Sequence, residues 1–154
     1  QLLADGGRIV VYQGCNYWLD IGTPEKYILA HRDSFTGRLR LPDADFSRRS
    51  VCSRRQAGVS GSATLCGPVY LGQGARVEDG AVVGPNVVVG DGGVIGPGCR
   101  VANSILWDRV RLDEGVELSG CIVTADCHLK PPARLRRAIL TPDNSGGIGR
   151  AAIG

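Results

Sequence analysis

Aliphatic side chains recur at every sixth position through the middle of the chain. The series runs through Leu65, Leu71, Val77, Val83, Val89, Ile95 and Val101, and an aromatic residue, Trp107, follows at the same spacing. Leu, Ile and Val make up about a quarter of the residues, so seven consecutive matches would arise by chance on the order of 10⁻⁴ of the time. The spacing therefore marks a hexapeptide repeat.

A second series lies two residues before the first and consists mostly of small residues: Ala63, Val69, Ala75, Ala81, Val87, Gly93, Cys99 and Ile105. A six-residue period is typical of a parallel β-helix, in which three hexapeptides make a coil of about 18 residues. The period then predicts three stacks of inward side chains spaced about 4.8 Å apart. The three predicted stacks are Leu65–Val83–Val101, Leu71–Val89–Trp107 and Val77–Ile95.

The register slips by one residue after Trp107, and the spacing resumes at Leu112 and Leu118. Val110, Val116 and Ile122 are expected to accompany these residues as inward partners. The pattern ends at Lys130-Pro131-Pro132, which gives about four coils between Val59 and Leu129. We therefore predict a β-helix over residues 59–130, followed by a cap or tail over 131–154.

The segment before the repeat has a different pattern. Arg8–Tyr12 and Tyr17–Ile21 are expected to form short strands. Thr23, Pro24 and Glu25 favour a helix start, since they provide a cap, a first-turn proline and a carboxylate at the positive end of the dipole. Gly37 favours the helix end. Residues 1–37 thus read as a short α/β unit, and residues 38–58 as a linker.

Composition adds only modest constraints. A net charge of +3 gives no strong case for nucleic-acid binding, and no stretch is long and apolar enough to span a membrane. The six cysteines form no C-x-x-C pair, which argues against a zinc site. We expect reduced, structural thiols in a cytoplasmic protein. The chain begins at Gln1 and contains no Met, so we expect a fragment or a processed chain.

The stretch from Tyr17 to Tyr27, YWLDIGTPEKY, resembles the W-x-D-I-G-T-P-E-x-Y motif that closes the catalytic domain of sugar-phosphate nucleotidyltransferases. The resemblance is to the mannose-1-phosphate guanylyltransferase and glucose-1-phosphate thymidylyltransferase groups. It implies that Asp20 is a metal ligand, which together with a second Asp would hold Mg²⁺ at the phosphates of a nucleoside triphosphate and a sugar-1-phosphate. Spacing alone favours a carboxylate that caps the turn at Gly22, and it is the surrounding motif that favours the metal role of Asp20.

The stretch Asn103–Asp108, NSILWD, resembles a segment of the β-helix tails of guanylyltransferase-like proteins. The hexapeptides also resemble the left-handed parallel β-helix family, and the left hand is implied by that resemblance. The expected fold is thus mainly β, a left-handed parallel β-helix preceded by a short α/β remnant of a nucleotidyltransferase domain.

The resemblance lacks one important part. The G-x-G-T-R-L segment that cradles phosphates in this family has no counterpart in the chain, and neither does its partner Asp or its signature Lys. We therefore expect the catalytic residues in a missing N-terminal domain and this fragment alone to be inactive. The β-helix would serve oligomerisation, most simply as a homo-oligomer, or regulation.

Two other functions remain open from the sequence. Many hexapeptide proteins are acyltransferases that need a histidine as general base, and His128 is the candidate within the repeat. A non-catalytic scaffold or allosteric module is the other. The basic cluster Arg48, Arg49, Arg54 and Arg55 is expected to be a solvated linker, or else a patch that docks an anion. His31 is expected to be an exposed or packed surface residue of the helix.

Overall fold

The computed structural model describes residues 10, 14, 17–41, 50–143 and 147–154. Within them it contains one helix, α1 (Pro24–Phe35), and seventeen short strands. The strands are β1 (Val51–Ser53), β2 (Gly58–Val59), β3 (Thr64–Leu65), β4 (Val69–Leu71), β5 (Arg76–Val77), β6 (Val82–Val83), β7 (Val87–Val89), β8 (Val94–Ile95), β9 (Arg100–Ala102), β10 (Ile105–Leu106), β11 (Arg111–Leu112), β12 (Glu117–Ser119), β13 (Ile122–Val123), β14 (His128–Leu129), β15 (Arg134–Arg136), β16 (Ala138–Pro142) and β17 (Ile148–Ala152).

The strands form three sheets that wind as a parallel β-solenoid of about five turns. Sheet 1 has the order β1-β4-β7-β10-β13-β16-β17, sheet 2 the order β2-β5-β8-β11-β14, and sheet 3 the order β3-β6-β9-β12-β15. Every third strand pairs, as expected when three hexapeptides make one coil. The parallel β-helix is confirmed, and its left hand stays a prediction from the family resemblance.

Two of the predicted stacks are confirmed in full. Leu65 pairs with Val83 and Val83 with Val101, and Val77 pairs with Ile95. In the third, Leu71 pairs with Val89 as expected. The side chains of the inner series from Val69 to Leu140 are almost completely buried.

The prediction that Trp107 completes the third stack is wrong. Leu106 pairs with Val89 and is 1% exposed, whereas Trp107 is 43% exposed. The second series shifts in the same way, because the position expected for Ile105 is taken by the buried Ser104. Ile122 is likewise not an inward partner, and Cys121 and Val123 point into the core on either side of it.

The physical cause is a shorter corner before sheet 1. Successive coils are 18 residues apart up to the pair Val83–Val101 and 17 apart from the pair Val88–Ile105 onward. The missing residue therefore lies between Val101 and Leu106, before Trp107 and not after it. Asn103 turns this corner with a φ of 48°, and Gly120 and Arg137 do so in the next two coils with φ of 68° and 45°.

The solenoid extends beyond the predicted segment 59–130 at both ends. Strand β1 lies within the expected linker and pairs with β4, while β16 pairs with β13 in parallel. The final strand, β17, pairs with β16 in the antiparallel direction. It covers the edge of sheet 1, which is the kind of cap that an exposed strand edge requires.

Helix α1 begins and ends as predicted. The Oγ1 atom of Thr23 accepts a hydrogen bond from the backbone N–H of Lys26 at 3.3 Å, Pro24 occupies the first turn, and Gly37 follows with a φ of 76°. The expected strand at Tyr17–Ile21 is wrong, because that segment has no strand partner among the described residues. Of the expected strand Arg8–Tyr12, all but Val10 lies outside the described residues.

The corrected register predicts losses of stability of different size for two adjacent residues. Leu106→Ala is expected to lower the free energy of unfolding by about 2–5 kcal/mol, because it opens a cavity in a closely packed core. Trp107→Ala is expected to cost less than about 2 kcal/mol, because the side chain is partly exposed. Urea unfolding of the two variants measures both values, and a larger loss for Trp107→Ala would contradict the register.

Candidate functional site

The outward face of sheet 1 is apolar, unlike the outward faces of the other two sheets. Val88, Ile105, Ile122 and Ile139 pair in one row across it. Ile105 and Ile122 are only 3% and 5% exposed although they lie outside the solenoid interior. Another part of the protein is expected to pack on such a row, because excluding water from large apolar side chains lowers the free energy.

Helix α1 lies against part of this row. Ile28, His31 and Phe35 of the helix line a crevice together with Asn103 and Ile105 of the solenoid. The crevice has room for one water molecule at most, about 10 Å³, so the two elements are closely packed. The helix is therefore docked on the solenoid and not merely tethered to it.

An aromatic contact fixes the first half of the helix. The ring centroids of Tyr27 and Trp107 lie 6.4 Å apart with an interplanar angle of 71°, an edge-to-face arrangement. Burial raises the pKa of Tyr27, and a hydrogen bond with the Trp107 side chain opposes that rise. Tyr27 belongs to the first recognised motif and Trp107 to the second, so the fold brings the two motifs together.

His31 stands one turn further along the helix. Its ring lies 4.7 Å from that of Tyr27, also edge to face. Burial lowers the pKa of His31, because a charged imidazolium is unfavourable in a crevice with few water contacts. His31, which the sequence predicts to be an exposed or packed surface residue, is packed in the helix–solenoid interface.

Two further contacts hold the motif segment and the helix. The hydroxyl of Tyr17 donates a hydrogen bond to Oδ2 of Asp33 at 3.0 Å, and Asp33 is buried. At the helix start, the pKa of Glu25 is lowered first by its own backbone N–H and then by the Thr23 hydroxyl. A backbone hydrogen bond from Gly154 also contributes, so the C-terminus reaches the first turn of the helix.

Asp20, the residue implied as a metal ligand, lies at the surface just before the helix. Its Oδ2 atom is 3.8 Å from Nζ of Lys26. Among the described residues, no group of three or more His, Cys, Asp or Glu side chains is placed to hold a metal ion. Asp20 can therefore supply one ligand, but the described part of this chain does not supply a complete magnesium site.

The neighbours of Asp20 are large exposed apolar side chains. Trp18 is 81% exposed and Ile21 is 53% exposed. They flank the carboxylate within the first motif. The carboxylate of Asp20 therefore lies within an exposed apolar edge of the motif.

The other candidate residues lie apart from Asp20 in the chain. Arg54 and Arg55 are exposed between β1 and β2, while Arg48 and Arg49 lie outside the described residues. His128 is exposed on sheet 2, where Nε2 lies 2.8 Å from Oδ1 of Asp113. That hydrogen bond is the main reason why the pKa of Asp113 is lowered.

Four of the described cysteines are free thiols: Cys66, Cys99, Cys121 and Cys127. Cys99, Cys121 and Cys127 are buried, and burial raises the pKa of each of them. They behave as small core residues, in agreement with the expectation of reduced, structural thiols. Cys15 lies outside the described residues.

Sequence reasoning missed the two outward rows of the solenoid. One is the apolar row on sheet 1, and the other is a charged row on sheet 3 formed by Arg100, Glu117 and Arg134. Both follow a spacing of 17 residues, which is visible in the sequence once the shorter coil is known. A search restricted to a period of six could not find them.

No helix among the described residues has the length and apolar character needed to cross a membrane.

Comparison with known proteins gives two matches. Residues 65–145 match the protein family described as the GMPPB C-terminal domain. Over 123 residues, or 79% of the chain, the sequence is 32% identical to a mannose-1-phosphate guanylyltransferase of Mycobacterium tuberculosis. The match spans 28% of the length of that relative.

The position of His31 predicts that helix docking depends on pH. The lowered pKa means that the undocked chain takes up the proton first, so docking is stable above pH 6.5, the ordinary pKa, and weakens as the pH falls below it. The fluorescence emission of Trp107 should report the loss of its contact with Tyr27. It is followed from pH 8 to pH 5 in a Trp18→Phe variant, in which Trp107 is the remaining tryptophan.

The matched variants are His31→Gln and His128→Gln, which remove the two histidines one at a time. The transition should disappear in His31→Gln and persist in His128→Gln. An unchanged transition in His31→Gln would contradict the assignment.

Proposed function

Since this chain belongs to the family of GMPPB C-terminal domains, we propose that it is the C-terminal part of a mannose-1-phosphate guanylyltransferase. The parent enzyme would convert GTP and mannose-1-phosphate to GDP-mannose and pyrophosphate. Similarity to a relative with that printed name supports the reaction. The chain contributes the end of the catalytic domain and the solenoid that follows it.

The observation that carries the proposal is the contact between the two motifs. Tyr27, in the segment that resembles the end of a nucleotidyltransferase domain, packs against Trp107 of the solenoid. Helix α1 would therefore connect the catalytic domain of the parent enzyme with the β-helix. In this arrangement the exposed Trp18 and Ile21 would pack on the body of the catalytic domain.

The proposed role of Asp20 is to supply one oxygen ligand for Mg²⁺ in the parent enzyme. Mg²⁺ is commonly held by one or two carboxylates together with substrate phosphates, so a single Asp at the domain boundary suits this role. When bound, the ion would neutralise and align the two anionic substrates. Lys26, which now lies beside the carboxylate, would keep Asp20 oriented at the surface.

The solenoid is proposed to serve oligomerisation or regulation, with a homo-oligomer as the simplest assembly. Its first coil supports this, because Val59 remains 43% exposed and Leu65 is only half-buried, in contrast to the equivalent residues of later coils. A second copy could cover that end. The free thiols of Cys66, Cys99, Cys121 and Cys127 fit a reducing cytoplasm as the site of action.

The test of Asp20 uses the longer protein that includes a G-x-G-T-R-L segment. GDP-mannose formation from GTP and mannose-1-phosphate should fall at least 100-fold in Asp20→Asn, and the Mg²⁺ concentration for half-maximal rate should rise, because one ligand is lost. Glu114→Gln, which alters an exposed carboxylate of the solenoid, is the matched control and should keep full activity.

The 154-residue chain itself is expected to form no GDP-mannose. Full activity of Asp20→Asn in the longer protein would overturn the role of Asp20. Activity of the 154-residue chain would overturn the assignment of the catalytic groups to an upstream segment.

A further inference from the structure

A groove of about 220 Å³ runs across the outward face of sheet 3. Its floor is made of small residues: Gly84, Ala102 and Ser119. Gly84 has a φ of 115°, and a Cβ atom there would overlap the carbonyl oxygen of Cys66, so this position is restricted to glycine. Because the residues of the floor are small, the longer side chains beside them stand above it and form the walls of the groove.

The walls carry three arginines and one glutamate. Arg100, Glu117 and Arg134 are register partners on β9, β12 and β15, and Arg136 lies two residues beyond Arg134. An Nη2 atom of Arg134 lies 3.4 Å from Oε1 of Glu117. Neither Arg100 nor Arg136 forms an ion pair with any residue that the structure describes. The groove therefore has an excess of positive charge.

The spacing of the arginines is informative. The Cα atoms of Arg100 and Arg134 are separated by two strand spacings, about 9.6 Å. Those of Arg134 and Arg136 lie about 6.6 Å apart along one strand. Three arginine side chains that start from points this far apart can converge on an anion larger than a single phosphate, such as two linked phosphates. The planar fork of arginine is well suited to phosphoryl oxygens, which it can bind through two parallel hydrogen bonds.

The same charges argue against two other occupants. A second copy docking through this face would bring two sets of arginines together, which is unfavourable. A nucleic acid needs a basic surface that follows many phosphates, whereas the three arginines of sheet 3 lie within one short groove. A small anion is the ligand that the surface fits.

We propose that this groove binds a diphosphate group between Arg100, Arg134 and Arg136, and that Glu117 weakens the binding by competing for Arg134. The ligand class is a small molecule with two linked phosphates. Ser119 supplies a hydroxyl at the floor of the same groove. The site lies wholly on this chain and does not depend on the proposed guanylyltransferase activity.

The test is calorimetric titration of the 154-residue chain with inorganic pyrophosphate at low salt and without divalent cations. Saturable binding to one site per chain is expected. The double variant Arg100→Gln/Arg136→Gln should bind at least tenfold more weakly, whereas Glu117→Gln should bind more tightly because a competing negative charge is removed.

The matched control is Arg76→Gln/Arg111→Gln, which removes two arginines from the outward face of sheet 2. It should bind pyrophosphate like the unaltered chain. Absence of saturable binding would overturn the proposal, and so would equal weakening in the control. Citrate tests the chemistry: binding as tight as that of pyrophosphate would overturn the assignment to phosphoryl groups.

The Glu117→Gln variant also separates an effect on binding from an effect on folding. It leaves every arginine of the groove in place, so tighter binding by this variant cannot come from damage to the fold. Unchanged or weaker binding by a Glu117→Gln protein with an unaltered unfolding midpoint would count against the proposed groove.

Discussion

The structure depends on one constraint, that each coil must return its inward side chains to lie directly over those of the coil before. Strands about 4.8 Å apart leave no room for a misplaced residue between them. Burial of each Val, Leu or Ile contributes roughly 1.5–3 kcal/mol, so the stacks supply most of the stabilisation of a chain with few aromatic residues. The corners adjust to this requirement, and they do so with 18 residues per coil in the first turns and 17 in the later ones.

The sequence was sufficient to predict the solenoid, most of its stacks and the start of helix α1, because these depend on local spacing. It was insufficient to locate the shorter corner. Sheet 1 carries aliphatic residues on both faces, as in Val87-Val88-Val89 and Ile105-Leu106. A shift by one residue exchanges the faces of a strand, and with apolar residues at both positions the hydrophobic pattern cannot distinguish the two registers. The six-residue series therefore continues to Trp107 and predicts it in the core, where the structure has Leu106.

The apolar outer face that made the register ambiguous is also the part of the solenoid that receives the helix. Ile105 is buried because helix α1 lies over it, and Tyr27 reaches Trp107 beside it. Contacts between residues so far apart in the chain have no signal in local spacing. The same holds for the groove on sheet 3, since Arg100, Glu117 and Arg134 adjoin only after the coil length has changed. The proposed role of Asp20 comes from the family motif alone, because no group of three or more His, Cys, Asp or Glu side chains among the described residues could hold a metal ion.

The central claim is that the end of the catalytic motif is docked on the solenoid through Tyr27 and Trp107. A double-mutant cycle of Tyr27→Ala and Trp107→Ala, measured by the free energy of unfolding, tests it directly. Docking predicts a coupling energy of about 0.5–1.5 kcal/mol between the two residues, the range of edge-to-face aromatic pairs. Effects that add within about 0.3 kcal/mol would show that the helix does not rest on the solenoid at this point, and would contradict the account.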